Sequence, residues 1–519
     1  MSKVIEESPL PVAFRLVWLL SAVILGAGIG RLVALGSFAS HPVLLAGSFA
    51  GIPVFLYLAK GLSYEKAVVM MVLTLPLMAG FVIDIGGYLR VPYLFTILAF
   101  CLGLYQMNLR KLPQGLTFQL LFVFVFYALT STAFTLWIDF SRSIEEGWGF
   151  RLSPFRSFIQ AGQLILMLMS FYLTVNYATS LVRIKRIFNF VFWSTVIVLL
   201  YGIYDFLAAL YDLPFLKIVS DMGYYQGGID TPTFGFGSVT LPRPRSTFLE
   251  PIELSLFLLF GIPYSIAAIF CEPSKLLRRV KVTFTFFSIL LFFATSSRSS
   301  LVAILVVLPL CLFLIRSHMA RLHAILLMLV AYLSVAFILL PLAGGQGSLM
   351  LPITFYQERL ASVSYYLDNL QRGDAATHAQ IGRGYSVPVN VFQKNPILGV
   401  GLGNYSFYVG ESGAVDLQST HNMYLRLLVE LGIVGTSFYL LFLGRVLWLL
   451  FKFLRRSSNS SLRPFALASI VAIVGVMIAI GATEGLYTHS YLWVMFAMGV
   501  AVLRVAGSNG NGTRPVIPL

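Results

Sequence analysis

Residues 418–435, QSTHNMYLRLLVELGIVG, begin with hydroxyl, imidazole and amide side chains and continue into an apolar run that carries Glu430 inward. A helix needs roughly 20 mostly apolar residues to cross a bilayer, and runs of this kind recur along the 519-residue chain. The chain is 58% hydrophobic and 11% charged, whereas soluble proteins carry about 25% charged residues. The sequence therefore predicts an all-α polytopic membrane protein.

The apolar runs predict about 14 membrane-spanning helices, within a range of about 12 to 14. Residues 1–343 hold the first eleven, 344–420 form a large external loop with helical spacing, 421–506 hold the last three, and 507–519 are a tail. Glu6 and Glu7 stand where a signal peptide needs positive charge, so the first run is predicted to be a retained span. The predicted centres lie near Leu25, Gly51, Pro76, Leu98, Phe126, Met167, Ile197, Gly261, Leu290, Val306, Val330, Ser437, Gly475 and Ala497.

The positions of the charges predict the orientation. The net charge is +15, but the Lys and Arg residues fall in short clusters in the even-numbered loops between apolar runs. Such clusters face the cytoplasm, so both termini are predicted to be cytoplasmic and no nucleic-acid-binding surface is expected. The three cysteines have no CxxC spacing, which argues against a disulfide framework or a zinc site.

Three predicted outer helix starts carry charge that topology alone does not explain. Arg243, Arg245 and Glu250 precede the eighth span in LPRPRSTFLEP, four serines surround Arg298 in ATSSRSSLVAIL, and His421 precedes the twelfth span. A helix start has unpaired N–H groups and about half a positive charge, and it attracts phosphate. The planar guanidinium group matches phosphate oxygens. These features together predict a diphosphate site at the outer leaflet.

His421 is suited to general-base work, because a positive helix end favours the neutral imidazole that can accept a proton. A helix-capping role is the alternative. Arg243 is predicted equally well to shape its proline-flanked loop, and Glu430 to form a structural ion pair. Structural pairing is also favoured over chemistry for Asp84, Asp205 and Glu484.

Four motifs in order resemble a known family. NPILGVGLGNY followed by STHNMYLRLLVELGIVG resembles the end of the outer loop and the next helix of the O-antigen ligase and O-antigen polymerase superfamily. RSTFLEPIELSLFL and TSSRSSLVAIL resemble its R-x-x-F-x-x-P and S-R-[GS]-[AS] elements. The resemblance extends over residues 245–450.

The resemblance implies a GT-C-like, metal-independent, inverting glycosyltransferase without a cofactor, whose donor is an oligosaccharide on undecaprenyl diphosphate. It implies that His421 is the catalytic base and that Arg245 and Arg298 hold the diphosphate. Further substrate-binding candidates are Glu250, Arg359, Arg383, Asn422 and Tyr424.

Glu250 stands where many ligases have asparagine, which favours a polymerase of O-antigen or exopolysaccharide over a ligase acting on lipid A core or protein. The implied partners are the lipid-linked donor, a glycan or lipid A core acceptor, membrane lipids and other polysaccharide assembly proteins. The implied location is the bacterial inner membrane, with the active site facing the periplasm. A transporter or flippase of lipid-linked solutes and a non-catalytic scaffold are the alternatives from other functional classes.

Overall fold

The computed structural model describes residues 63–77, 83–84, 88–106, 109, 115–137, 155–211, 233–236, 239–248, 250–314, 387–405, 407–408, 420, 422–456, 461–483 and 489–508. Several predictions lie outside these residues. They concern His421, Arg359, Arg383, Glu484, the spans centred on Leu25, Gly51 and Val330, most of the large loop, and both termini.

Helices dominate the described residues. They are α1 (Tyr64–Leu73), α2 (Val91–Tyr105), α3 (Leu116–Ser131), α4 (Phe155–Tyr177), α5 (Leu181–Tyr211), α6 (Pro251–Phe270), α7 (Lys275–Ala294), α8 (Arg298–Leu314), α9 (Met423–Arg456), α10 (Arg463–Ala479) and α11 (Ser490–Ser508). Two 3₁₀ turns, Thr132–Trp137 and Ile480–Ala482, extend α3 and α10, and residues 387–394 are also helical. Among the described residues, six helices are long and apolar enough to cross a bilayer: α3, α4, α5, α6, α9 and α11. The predicted polytopic membrane architecture is therefore confirmed, while the count of 12 to 14 spans stays a prediction.

The helices pack around α11. Trp493, Phe496 and most other side chains of α11 are fully buried, and a helix that is apolar on all sides belongs in the interior of a bundle. Around it, α6 packs against α5, α7 and α10, and α9 packs against α3. Small residues allow close approach. At Gly261, an added Cβ would collide with the Thr195 hydroxyl oxygen of α5.

Two short hairpins interrupt the helical pattern, although the sequence predicts an all-α fold. Strands β1 (Ile83–Asp84) and β2 (Tyr88–Leu89) pair antiparallel, and so do β3 (Thr233–Phe236) and β4 (Val239–Pro242). The prediction of a span centred on Pro76 is wrong, because α1 ends at Leu73 and a turn follows. Proline has no N–H to donate and disfavours helical backbone at the residue before it.

Three of the basic clusters that the sequence assigns to the cytoplasm belong to helix starts that meet at one end of the bundle. Lys185 on α5, Arg278 on α7 and Pro464 on α10 line a common cavity. Glu272 also lines this cavity, and its Oε2 lies 2.6 Å from Lys281 Nζ. The starts of α5, α7 and α10 therefore lie together. We call this part of the bundle the basic end.

Candidate functional site

The segments that carry the two predicted diphosphate-binding arginines contact each other at the opposite end of the bundle. Arg243 Nε, in the segment before α6, donates to the Thr295 carbonyl oxygen at the end of α7, 2.9 Å away. One turn into the helices, the Ser255 and Ser300 hydroxyls of α6 and α8 are 2.6 Å apart. The backbone contact gives Arg243 the loop-shaping role that the sequence left open. It also brings the Arg245 segment beside the helix that starts at Arg298.

Asp205, near the end of α5, fixes the backbone around Arg245. Its Oδ2 accepts N–H bonds from Arg245 at 2.6 Å and from Ser246 at 3.1 Å, and Asp205 as a whole is 8% exposed. The Ser246 hydroxyl donates to the Val198 carbonyl, 2.7 Å away. Asp205 thus has the structural partners expected of it, and they hold the loop from which the half-buried Arg245 side chain projects.

Strained backbone accompanies both arginines. Among the described residues, the non-glycine residues with positive φ are Ser246 at 54° and Ser296 at 50°. Ser246 follows Arg245 directly, and Ser296 comes two residues before Arg298. Left-handed backbone is uncommon outside glycine. Such residues cluster at functional sites, where the surrounding structure enforces them.

The sequence predicts that the serines around Arg298 add hydroxyl donors for a ligand. In the structure, several of these hydroxyls are bonded within the protein instead. The Ser300 hydroxyl donates to Ser297 Oγ at 3.2 Å, and Ser297 Oγ is 3.3 Å from Ser299 Oγ. Ser297 and Ser300 are buried, whereas Ser299 is half-buried. The hydroxyls mainly join one another and α6. The half-buried guanidinium of Arg298, at the first position of α8, is the stronger ligand candidate.

The neighbours of His421 have defined structural roles. Asn422 Oδ1 accepts the Leu425 N–H at 3.0 Å, which is the bond of a helix N-cap. The Tyr424 hydroxyl donates to the Met477 carbonyl on α10, 2.6 Å away. Asn422 and Tyr424, both predicted as substrate-binding candidates, therefore build the start of α9 and join it to α10.

Glu250, another predicted substrate-binding residue, lies exposed at the N-cap position of α6. It is on the site side of the bundle, close along the chain to Arg245. Its side chain is exposed, and the predicted contact with substrate stays a prediction.

Two of the family-like motifs dock into each other. Helix α9 is broken at Gly432, with φ 62° and ψ −170°, and the break separates main-chain groups that an α-helix would pair. The NPILGVGLGNY segment bonds to these groups instead. The bonds run from Val400 N to Val429 O (2.9 Å), Gly401 N to Glu430 O (2.8 Å), Ile433 N to Pro396 O (2.9 Å) and Val434 N to Ile397 O (3.2 Å). Inside a membrane, backbone groups need such internal partners.

The acidic residue that α9 carries inward is paired. Glu430 Oε1 lies 3.1 Å from Arg426 Nε, and their side chains are 0% and 9% exposed. The structural ion pair considered for Glu430 is therefore present. Arg426 itself is a buried arginine that the sequence reasoning missed, although its i, i+4 spacing to Glu430 is the signal that could have found it.

Sequence reasoning also missed a second pair of largely buried polar residues. His489 Nε2 lies 3.3 Å from Glu253 Oε1, with side chains 2% and 15% exposed. His489 precedes α11 and Glu253 lies in the first turn of α6, so this pair shares the end of the bundle with Arg245 and Arg298. A carboxylate within the apolar run PIELSLFL is the signal that sequence reasoning could have used.

Comparison with known protein families matches most of the segments described above. Residues 283–440 match the family described as O-antigen ligase. The match includes Arg298 and both docked motifs but begins after Arg245. The chain is also similar to the teichuronic acid biosynthesis protein TuaE of Bacillus subtilis (strain 168), with 22% identity over 269 residues. That similarity covers 50% of this chain and 52% of TuaE, about half of each protein. The match of residues 283–440 to the O-antigen ligase family and the similarity to TuaE confirm the resemblance of this chain to the O-antigen ligase and O-antigen polymerase superfamily.

Proposed function

We propose that this protein is an integral-membrane glycosyltransferase that moves a glycan from undecaprenyl diphosphate to an acceptor hydroxyl on the outer side of the bacterial inner membrane. The match of residues 283–440 to the O-antigen ligase family and the long apolar helices support this proposal. TuaE is named for a biosynthetic role, which favours synthesis over transport. We further propose 12 to 14 spans, cytoplasmic termini, an external loop over residues 344–420 and the last three spans within 421–506.

In the proposed reaction, the acceptor hydroxyl gives its proton to His421 while its oxygen attacks the anomeric carbon of the donor glycan. The bond between that carbon and the diphosphate oxygen breaks, and undecaprenyl diphosphate leaves with both bonding electrons. Attack from the opposite face inverts the anomeric centre. A neutral imidazole is a suitable base for this step at ordinary pH.

Arg245 and Arg298 would stabilise the negative charge that grows on the leaving diphosphate. The observation that carries this assignment is the pair of strained serines beside two arginines whose segments contact each other. Fixed donors of this kind lower a barrier because they need no reorganisation as charge develops. Asp205 would keep the Arg245 backbone in place.

Transporters also use broken membrane helices, and the break in α9 invites that comparison. In a transporter, such a break leaves main-chain groups for the solute. Here backbone groups of residues 396–401 occupy those positions. The break is therefore better explained as a structural joint that ties the outer loop to the helix following His421.

Substitutions at the proposed site test the mechanism. Replacing His421 with alanine should abolish transfer from lipid-linked donor, and Arg298→Lys should slow it by about 10²-fold, because lysine keeps the charge but loses the planar fork. Arg279→Lys is the matched control, since Arg279 is an exposed arginine at the basic end. Wild-type transfer by a well-inserted His421→Ala variant would refute the base assignment.

Polymerase and ligase are distinguished by the glycan that a deletion strain accumulates. We propose that the protein is a polymerase because of the acidic Glu250. Cells of the deletion strain should then carry single repeat units on their final acceptor. Long chains retained on the carrier lipid would establish the ligase alternative instead.

A further inference from the structure

A cluster of three polar side chains lies where α6 and α11 begin. Glu253 is in the first turn of α6, His489 directly precedes α11, and Tyr491 is in the first turn of α11. His489 Nε2 lies 3.3 Å from Glu253 Oε1, and the centroids of the nearly perpendicular His489 and Tyr491 rings are 5.3 Å apart. The sequence separates Glu253 widely from the other two residues, and only the fold brings them together.

This cluster lies at the same end of the bundle as the proposed diphosphate site. Ser255, two residues beyond Glu253, is bonded to Ser300 near the start of α8, the helix that begins at Arg298. Glu250 is the exposed N-cap residue of α6, and Glu253, in the first turn of the same helix, is partly buried. The start of α6 therefore runs from the surface to the pair.

Structural stability alone is a weak explanation for the pair. Phe257 and Phe260, on the same helix, contact the Tyr491 ring at centroid distances of 5.5 and 6.0 Å, so the surroundings are strongly apolar. Burying ionisable groups costs free energy that their attraction often fails to recover. Within membrane helices such groups usually mark substrate pathways. Glu253 keeps 15% of its side chain accessible, so the pair is not fully enclosed by the protein.

We propose that Glu253 binds hydroxyl groups of the glycan on the lipid-linked substrate, and that His489 is a positioning residue that holds the carboxylate. This inference rests on the proposed function, because it assigns the arginines to the diphosphate and the carboxylate to the sugar. A carboxylate accepts hydrogen bonds only. It therefore suits neutral hydroxyl donors and disfavours a second phosphate.

The test compares two probes on the purified full-length protein: undecaprenyl diphosphate, and the glycan-bearing lipid extracted from a deletion strain. Glu253→Gln should weaken binding of the glycan-bearing lipid by about ten-fold or more, since hydrogen bonds to charged groups are the strong ones. Binding of undecaprenyl diphosphate should stay unchanged. Glu272→Gln is the matched control, because it breaks a similarly buried ion pair at the basic end and should alter neither affinity.

Substitutions of His489 test the positioning role and cover the case in which Glu253→Gln does not fold. His489→Gln keeps a nitrogen donor near the carboxylate and should retain glycan-dependent affinity, whereas His489→Leu should lose it as Glu253→Gln does. Equal loss for both lipids, or no loss for either, would overturn the inference. If the wild-type protein transfers no glycan, the proposed function fails; if it transfers glycan but these variants bind both lipids normally, only the sugar assignment fails.

Discussion

The break in α9 leads to a sharp prediction about Gly432→Ala. The backbone at φ 62°, ψ −170° is open essentially to glycine alone, and another residue there costs about 1–3 kcal/mol. An added Cβ would also lie 2.5 Å from the Ile397 carbonyl carbon and 2.6 Å from the Gly399 nitrogen. The docked segment would have to move, and losing two of its four hydrogen bonds adds about 2 kcal/mol. We expect a total destabilisation of about 3–5 kcal/mol.

Gly444→Ala is the matched control within the same helix. Gly444 is exposed, and a Cβ there would meet nothing within 4 Å, so alanine should be neutral or stabilising by up to about 1 kcal/mol. Equilibrium unfolding in detergent, with monodispersity after heating as a second measurement, compares the two variants. Gly432→Ala within about 1 kcal/mol of wild type, or equal losses for both variants, would refute the docking explanation.

Three further predictions concern residues that have explicit partners. Asp205→Ala should weaken binding of undecaprenyl diphosphate with little change in the fold, because two N–H groups near Arg245 lose their acceptor; unchanged affinity would contradict a role in holding that loop. Tyr424→Phe should cost about 1 kcal/mol of stability and leave the donor KM unchanged, since its hydroxyl is bonded to a main-chain carbonyl on α10; a raised KM would restore the substrate-binding assignment. Glu430→Gln should destabilise by about 3–5 kcal/mol because it leaves a buried guanidinium without its anion, whereas replacing Arg426 and Glu430 together with methionine and leucine should be far milder in the same unfolding assay.

The sequence by itself determined the membrane class and most helix positions among the described residues. In lipid, backbone groups need partners within the protein, and a helix supplies nearly all of them from its own segment, so a run of about 20 apolar residues is a strong signal that needs no tertiary information. The positions of Arg245 and Arg298 beside helix starts were also readable, because helix capping and the charge at a helix start are local properties. The end of α1 was predicted wrongly, because the high hydropathy of the run was given more weight than the helix-breaking effect of Pro76.

Tertiary structure alone decided the contacts between segments that are far apart in the chain. Nothing local states that residues 396–401 bond to the break at Gly432, or that Glu253 meets His489. Such contacts depend on how helices dock, and the docking is fixed by side-chain packing between segments far apart in the chain. The structural roles of Asn422 and Tyr424 also came from the folded chain, which uses them for a helix cap and an interhelical hydrogen bond, while their predicted substrate contacts stay predictions.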